Sequence, residues 1–385
     1  MQTKRNMQTL VVHAGERRPG PEGSVVFPIY QGTVFELSPG SGYHDIQYGR
    51  LSSTPSQTYL HDKLRALEGA EAALATSSGM AAISTTLLTF LKNGDHFLIA
   101  NSLYGGTHDF VTKHAAELGW TYTSVDPHAP ETWAAAVTPK TRLFYVEAIV
   151  NPTMRVPKHR EVAAFSKKAG ILSIVDSTFA NPINFQPLAL GFDLVVHSAT
   201  KYLNGHSDIV AGALMGSQEN VTAIRKSLNL YGGSLDPHAG FLLARGIKTM
   251  AIRVKAHNEN GMKLAEFLGG HRAVESVSYP GLASHPDHAH AAQLFSGFGG
   301  MIALRVRGGT AAAEKMLAAL ELPAVAPSLG GVETLITRPA TTSHAGMAPD
   351  DRRRLGIADD LIRISCGIEA ADDLIADFGR ALDAL

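Results

Sequence analysis

Between residues 72 and 216, short apolar runs alternate with stretches whose apolar residues recur at helical spacing. The runs are AALAT (72–76), HFLIA (96–100), RLFYVE (142–147), ILSIVD (171–176), FDLVVHS (192–198) and AGALMG (211–216). Each has the length of a strand, and near-continuous apolar character marks strands buried on both faces. The intervening patterns, such as AAISTTLLTFLK (81–92) and GTHDFVTKHAAELG (106–119), predict helices. Strand–helix alternation of this kind predicts an α/β fold with a mostly parallel sheet covered on both sides. Ligands in such sheets bind at the carboxyl ends of the strands.

The flanking regions read differently. Residues 1–55 are rich in Gly, Pro and Ser, with strand-like pieces such as SVVFPIY, and predict an extended arm. A helix follows in TPSQTYLHDKLRALEGAE, with Thr54 as N-cap, Pro55 at the first helical position and Gln57 completing a capping box. Leu60, Leu64 and Leu67 recur at helical spacing, and Gly69 fits just past the end. After about residue 250 comes a long helical pattern (251–270), then the strand-like GGMIALRVRGG (299–309) and a helix (310–320). Short strands including LIRISCG (361–367) and a terminal helix from Asp372 complete the chain. The division expected is an arm (1–55), a large domain (56–248) and a smaller C-terminal α+β domain (249–385), with no internal repeat.

Composition narrows the function classes. The chain has 385 residues, 45% of them apolar and 18% charged, which fits a compact globular protein. The formal charge of −1 gives no reason to expect nucleic acid or an anionic membrane as partner. Cys366 is the single cysteine, so no intramolecular disulfide forms. The N-terminal segment has no long apolar core, and a cytoplasmic protein is expected. Of the 17 histidines the densest group is HPDHAH (285–290); it lacks H-E-x-x-H spacing and is expected to be a solvated surface segment, with no metal.

The chemistry concentrates at strand ends. HSATKYLNGHSD (197–208) closes an apolar strand with Ser198, Thr200 and Lys201. A lysine there is either a solvated charge or, where partly buried, an amine of lowered pKa able to attack a carbonyl. TSSGMAAIS (76–84) passes from a strand into a helix, and backbone N–H groups there, with the helix dipole, would form an anion site that Gly79 lets a ligand approach. Asp176 ends the strand ILSIVD; it either caps the next turn or meets a protonated heterocycle. A lysine, a phosphate cradle and a buried carboxylate are the parts that pyridoxal phosphate requires.

DLVVHSATKYLNGHSDIVAG resembles the pyridoxal-phosphate signature of the trans-sulfuration enzymes. That family includes cystathionine γ-synthase, the cystathionine lyases, methionine γ-lyase and the homoserine sulfhydrylases. The resemblance runs through VHAGE, PIYQGTVFE, LEGAEAALATSSGMAAI, LYGGT, NPT, VDSTFANP, RGIKT, SLGGVETL and LIRISCGIE, nearly the whole chain. It implies an aspartate-aminotransferase-like (fold type I) enzyme. It implies that Lys201 is the Schiff-base lysine and Asp176 the partner of the pyridine nitrogen. Ser78, Gly79 and Met80, with Ser198 and Thr200, would hold the phosphate. Tyr104 would stack on the ring and pass a proton to the leaving group. Asn151 would lie near the ring hydroxyl, Arg363 would grip the substrate carboxylate, and Ser328 would lie beside it. Tyr48 and Arg50 would reach the phosphate of a neighbouring subunit within a homotetramer of site-sharing dimers, although SSTPS stands where the family has Asn-Pro-Thr.

Three positions bear on the substrate, a small amino acid. Gly106 stands where methionine γ-lyases resemble one another in having cysteine. Pro327 and Gln47 stand where cystathionine γ-enzymes carry acidic residues. The expectation is a carbon–sulfur lyase acting by γ-elimination on methionine-like or cystathionine-like substrates. Alternatives are a γ-replacement enzyme, a cystathionine β-lyase, or a non-catalytic homologue used for binding.

Overall fold

The computed structural model describes residues 5–385, with His44 by its backbone alone. The main sheet has the order β1 (Ala72–Thr76), β7 (Gly212–Gly216), β6 (Leu194–Ser198), β5 (Leu172–Asp176), β4 (Thr141–Glu147), β2 (His96–Ala100) and β3 (Thr121–Val125). From β6 to β3 every pairing is parallel. β7 runs antiparallel to both neighbours, β6 and the edge strand β1. β1 and β7 are buried throughout, as their continuous apolar runs require. β3 escaped the hydrophobic pattern because TYTSV is an edge strand, mostly exposed.

A second sheet has the order β10 (Ala324–Val325), β11 (Leu335–Thr337), β12 (Ile362–Ser365), β9 (Met301–Val306) and β8 (Val274–Ser278). β12 lies between β11 and β9, antiparallel to both, and is buried at every residue. Each sheet carries its own apolar cluster.

The arm differs from the reading of short strand-like pieces. Among its described residues, α1 (Met7–His13) is a helix and the only ladder is an isolated bridge between Val34 and Tyr48. α1 is held by α2 (Pro55–Glu68), through Lys63, whose side chain is wholly buried. The ammonium donates to the carbonyls of Val11 and Val12, both at 3.2 Å, at the negative end of α1. It lies 3.7 Å from Glu16, which also accepts from Tyr59 (2.6 Å) and pairs with Lys248 (2.8 Å). Burial pushes Lys63 down to about 8, against the pull of Glu16. The α2 ends are as expected: the Thr54 N–H donates to Gln57 Oε1 (3.1 Å), and Gly69 closes the helix at φ 65°.

The HPDHAH segment is not a solvated surface. Asp287 and His285 are buried. Asp287 accepts from Arg155 Nε (2.6 Å) and Nη2 (3.1 Å) and from the Val156 N–H (2.9 Å), and His290 bonds the Pro157 carbonyl (2.8 Å). A matched guanidinium lets a carboxylate leave water, which residue type alone cannot reveal. Among the described residues no group of His, Cys, Asp and Glu is placed to hold a metal, and no helix is long and apolar enough to cross a membrane.

Candidate active site

The carboxyl ends of β1, β4, β5 and β6 open into a cavity of about 610 Å³. It brings together Ser78, Gly79, Met80, Tyr104, Asn151 and Asp176 with Ser198, Thr200, Lys201, Ser328 and Arg363. Tyr48 and Arg50 lie outside it. Arg50 Nη1 donates to the Asn229 carbonyl (2.6 Å), and its guanidinium sits 5.6 Å from the Tyr48 ring centre. Gln47 is exposed, whereas Pro327 is in the cavity wall.

β1 leads straight into α3 (Gly79–Phe90), with Ser78 as N-cap. Ser78 Oγ accepts from the Ala81 N–H (3.0 Å), and its carbonyl accepts from Ala82 (3.1 Å). The N–H groups of Gly79 and Met80, at the start of the helix, are thus left for an external anion. A Cβ on Gly79 would stand 2.8 Å from Ser198 Cβ, so glycine keeps this cradle open. The Thr200 hydroxyl donates to the Ala211 carbonyl (3.2 Å) and accepts from its N–H (2.9 Å), tying the lysine turn to β7.

Lys201 sits in the turn after β6, its Nζ donating to Ser328 Oγ at 2.7 Å. Burial, then the charge of Arg363, push its pKa down to about 8. Ser328 holds φ 95°, a left-handed conformation that costs a non-glycine residue and that concentrates at functional sites. Arg363 comes from the central strand of the second sheet and is buried. Its Nη1 donates to Asn151 Oδ1 (3.1 Å) and its Nη2 to the Ser328 carbonyl (2.9 Å). Arg363 Nε has no partner, and burial lowers its pKa to about 10. Such a cation in a cavity wall is poised for an anionic ligand.

Asp176 is buried and its pKa is raised by desolvation. Oδ1 accepts from the Thr178 hydroxyl (2.5 Å) and N–H (2.9 Å), while Oδ2 has only the Tyr145 hydroxyl at 3.3 Å. A carboxylate with one oxygen so weakly engaged suits a protonated ring nitrogen. Beside it, Glu147 accepts from the backbone N–H groups of Tyr104 (2.5 Å) and Asn151 (3.0 Å). Glu147 was missed in the sequence, though RLFYVE carries the same signal as ILSIVD, a carboxylate closing an apolar strand. Thr178, Thr342 and Ser343 also line the cavity; the last two arrive on a distant loop with no local signal. Tyr104 caps α4 (Gly105–His114) and is half exposed, with Gly106 beneath its ring.

The residues present fit pyridoxal phosphate: an anion cradle that glycine keeps open, a weakly engaged buried carboxylate and a desolvated amine share one cavity. The sequence model of the family described as Cys/Met metabolism PLP-dependent enzyme matches residues 8–383. The chain belongs to this family. It is 42% identical over 378 residues to a cystathionine γ-lyase of Bacillus subtilis, spanning 98% of this chain and 99% of the relative. It is 40% identical over 391 residues to an L-methionine γ-lyase of Pseudomonas putida, covering 98% of this chain and 97% of that one. A crystal structure of a cystathionine γ-synthase from Xanthomonas oryzae pv. oryzae, in complex with aminoacrylate and cysteine, superposes with a TM-score of 0.95 at 37% identity and covers 98% of both chains. The fold is therefore that of the fold type I enzymes, the cofactor is pyridoxal phosphate, and the protein is a trans-sulfuration enzyme.

Proposed function

We propose that the protein is a carbon–sulfur lyase that performs γ-elimination on methionine-like or cystathionine-like amino acids, giving a thiol, ammonia and a 2-oxo acid. The cavity walls carry this reading. Four charged side chains line the cavity: Glu147, Asp176, Lys201 and Arg363. Apart from the grip of Arg363 on one carboxylate, none is left for a second amino-acid head group. Met80, Ile83, Ile149, Phe179, Val210, Pro327 and Leu329 supply apolar wall instead. Such a cavity favours a small, uncharged sulfur substituent, and so the methionine-like end of the range.

The roles follow from position. Lys201 is the covalent anchor, and Asp176 holds the ring nitrogen protonated. When bound, the cofactor supplies an electron sink for the pair left at Cα. Arg363 fixes the α-carboxylate as a planar fork. Lys201, freed as a neutral amine, takes the Cα proton and then a Cβ proton, which lets the Cγ–S bond break, and Tyr104 delivers a proton to the departing sulfur. Asn151 and Ser328 hold the guanidinium, and Ser78, Gly79, Met80, Ser198 and Thr200 surround the phosphate. We also assign Tyr48 and Arg50 to a neighbour's site in a cytoplasmic homotetramer, and divide the chain at residues 55 and 248. Exposed apolar side chains support an assembly: Val25 is 87% exposed, Leu230 83% and Val34 75%.

A second reading, γ-replacement on an activated homoserine ester, has support in the likeness to the γ-synthase structure. Incubation with L-methionine, with L-cystathionine, and with O-acetyl-homoserine plus sulfide, following thiol and oxo acid, separates the two. Oxo acid from a thioether is the expected result. Rapid ester consumption with no oxo acid from any thioether would overturn the lyase reading.

A further inference from the structure

Glu147 performs none of the steps above, yet it is buried in the cavity wall. It ends β4 directly beside Asp176, its register partner on β5. Burial, then repulsion from Asp176, push its carboxyl up to about 8. Two carboxylates side by side at the ends of apolar strands are costly, and packing gives no reason for the second. What Glu147 reaches is two separate loops. Oε1 accepts from the Tyr104 N–H at 2.5 Å, at the opening of α4, where the positive helix end favours a carboxylate. Oε2 accepts from the Asn151 N–H at 3.0 Å.

The contacts continue beyond Asn151. Its Oδ1 accepts from Arg363 Nη1, Arg363 Nη2 donates to the Ser328 carbonyl, and Ser328 Oγ accepts from Lys201 Nζ. A chain of polar contacts thus runs from Glu147 through Asn151 and the guanidinium to the reactive amine. Each oxygen of the Glu147 side chain thus holds a different loop, and among the described residues no other side chain reaches both N–H groups.

We propose that Glu147 is a positioning residue: its carboxyl group, one oxygen on each N–H, ties the Tyr104 loop to the Asn151 loop, and so fixes the distance between the phenol and the Asn151–Arg363 pair. Substrate held by Arg363 is then presented to Tyr104 at a constant separation. The inference rests on the family and not on the choice of sulfur substrate.

The test uses Glu147→Gln and Glu147→Leu. Glutamine keeps the volume but offers one acceptor and turns an NH2 group toward the other amide; leucine removes both acceptors. In cofactor-free protein, amide hydrogen exchange should quicken about tenfold at Tyr104, Asn151 or both, and not elsewhere. In the holoenzyme, exchange of the Cα proton of L-methionine and L-cystathionine in heavy water precedes any C–S cleavage. Its kcat/KM should fall about 100-fold, with KM raised, as for a misplacement of about 1 Å. Pyridoxal phosphate should still bind, because Lys201, Asp176 and the Gly79–Met80 cradle are untouched. Wild-type amide exchange at both positions, or wild-type kcat and KM in folded Glu147→Gln protein, would overturn the proposal. Faster exchange throughout the chain with loss of the cofactor would also overturn it, by assigning Glu147 to the fold alone. Where Glu147→Leu yields no folded protein, Glu147→Gln decides.

Discussion

Lys201 can attack the cofactor aldehyde only as a neutral amine. A free lysine side chain gains neutral fraction up to about pH 10.4, but burial and Arg363 bring this one down to about 8. The shift is downward, so the plateau of reactivity moves to lower pH. Capture of pyridoxal phosphate by the cofactor-free protein, followed by absorbance, should slow about tenfold per pH unit below 8 and level off above it. A rate still rising steeply at pH 10 would contradict this. Gly106 gives a second outcome. A Cβ there would stand 2.6 Å from Tyr104 Cε1 and 3.1 Å from Met80 Sδ, so the half-exposed ring must move. Gly106→Ala should cost about 10–100-fold in kcat with an unchanged thermal midpoint. The side chains that carry charge into the cavity were readable because strands end on them: Asp176 and Lys201 stand out after apolar runs. Arg363 was not readable from pattern alone, since a guanidinium inside IRIS looks like any strand residue until Asn151 and the Ser328 carbonyl are seen around it. Ser328 at φ 95° has no sequence signal either.

The arm shows how one helix is fastened to the next. Among the described residues, Glu16 is the only acidic partner within ion-pair reach of the wholly buried Lys63, which also bonds the last carbonyls of α1. Glu16→Ala leaves a buried ammonium with carbonyls alone, and denaturant unfolding should register a loss of about 3 kcal/mol. Lys63→Met, which removes the charge as well, should cost less; the reverse order would contradict the buried-pair account. At this scale the main sheet was legible wherever burial is two-sided. AALAT, HFLIA and AGALMG read as strands because neither face meets water. β3 and β8 were not, because TYTSV and VESVS carry exposed polar residues that any surface segment shares. The α2 ends were legible through Thr54, Gln57 and Gly69, whose conformational requirements are local. The burial of HPDHAH was not, because it depends on Arg155, far away in the chain.

In the whole molecule, Tyr48 and Arg50 lie outside their own chain's cavity. If they complete a neighbour's site, Arg50→Ala and Lys201→Ala proteins are each inactive, and a mixture unfolded and refolded together should regain up to about a quarter of wild-type activity. Recovery absent from co-refolded mixtures whose hybrid oligomers are seen by native mass spectrometry would refute sharing. The sheet order has a consequence in time. β1 pairs with β7 and bridges Ser234 through Thr76, so a strand made early waits unpaired until Gly212–Gly216 has been synthesised. Ser78, Tyr104, Glu147, Asn151, Asp176 and Lys201 all precede that point, whereas Ser328 and Arg363 come long after it. Chains are threaded from the ribosome N-terminus first, and domains close as units. A nascent chain therefore carries the residues that would hold its cofactor well before those that would hold an amino acid, and the main apolar cluster closes only when Leu329, Ile357 and Leu361 have joined it.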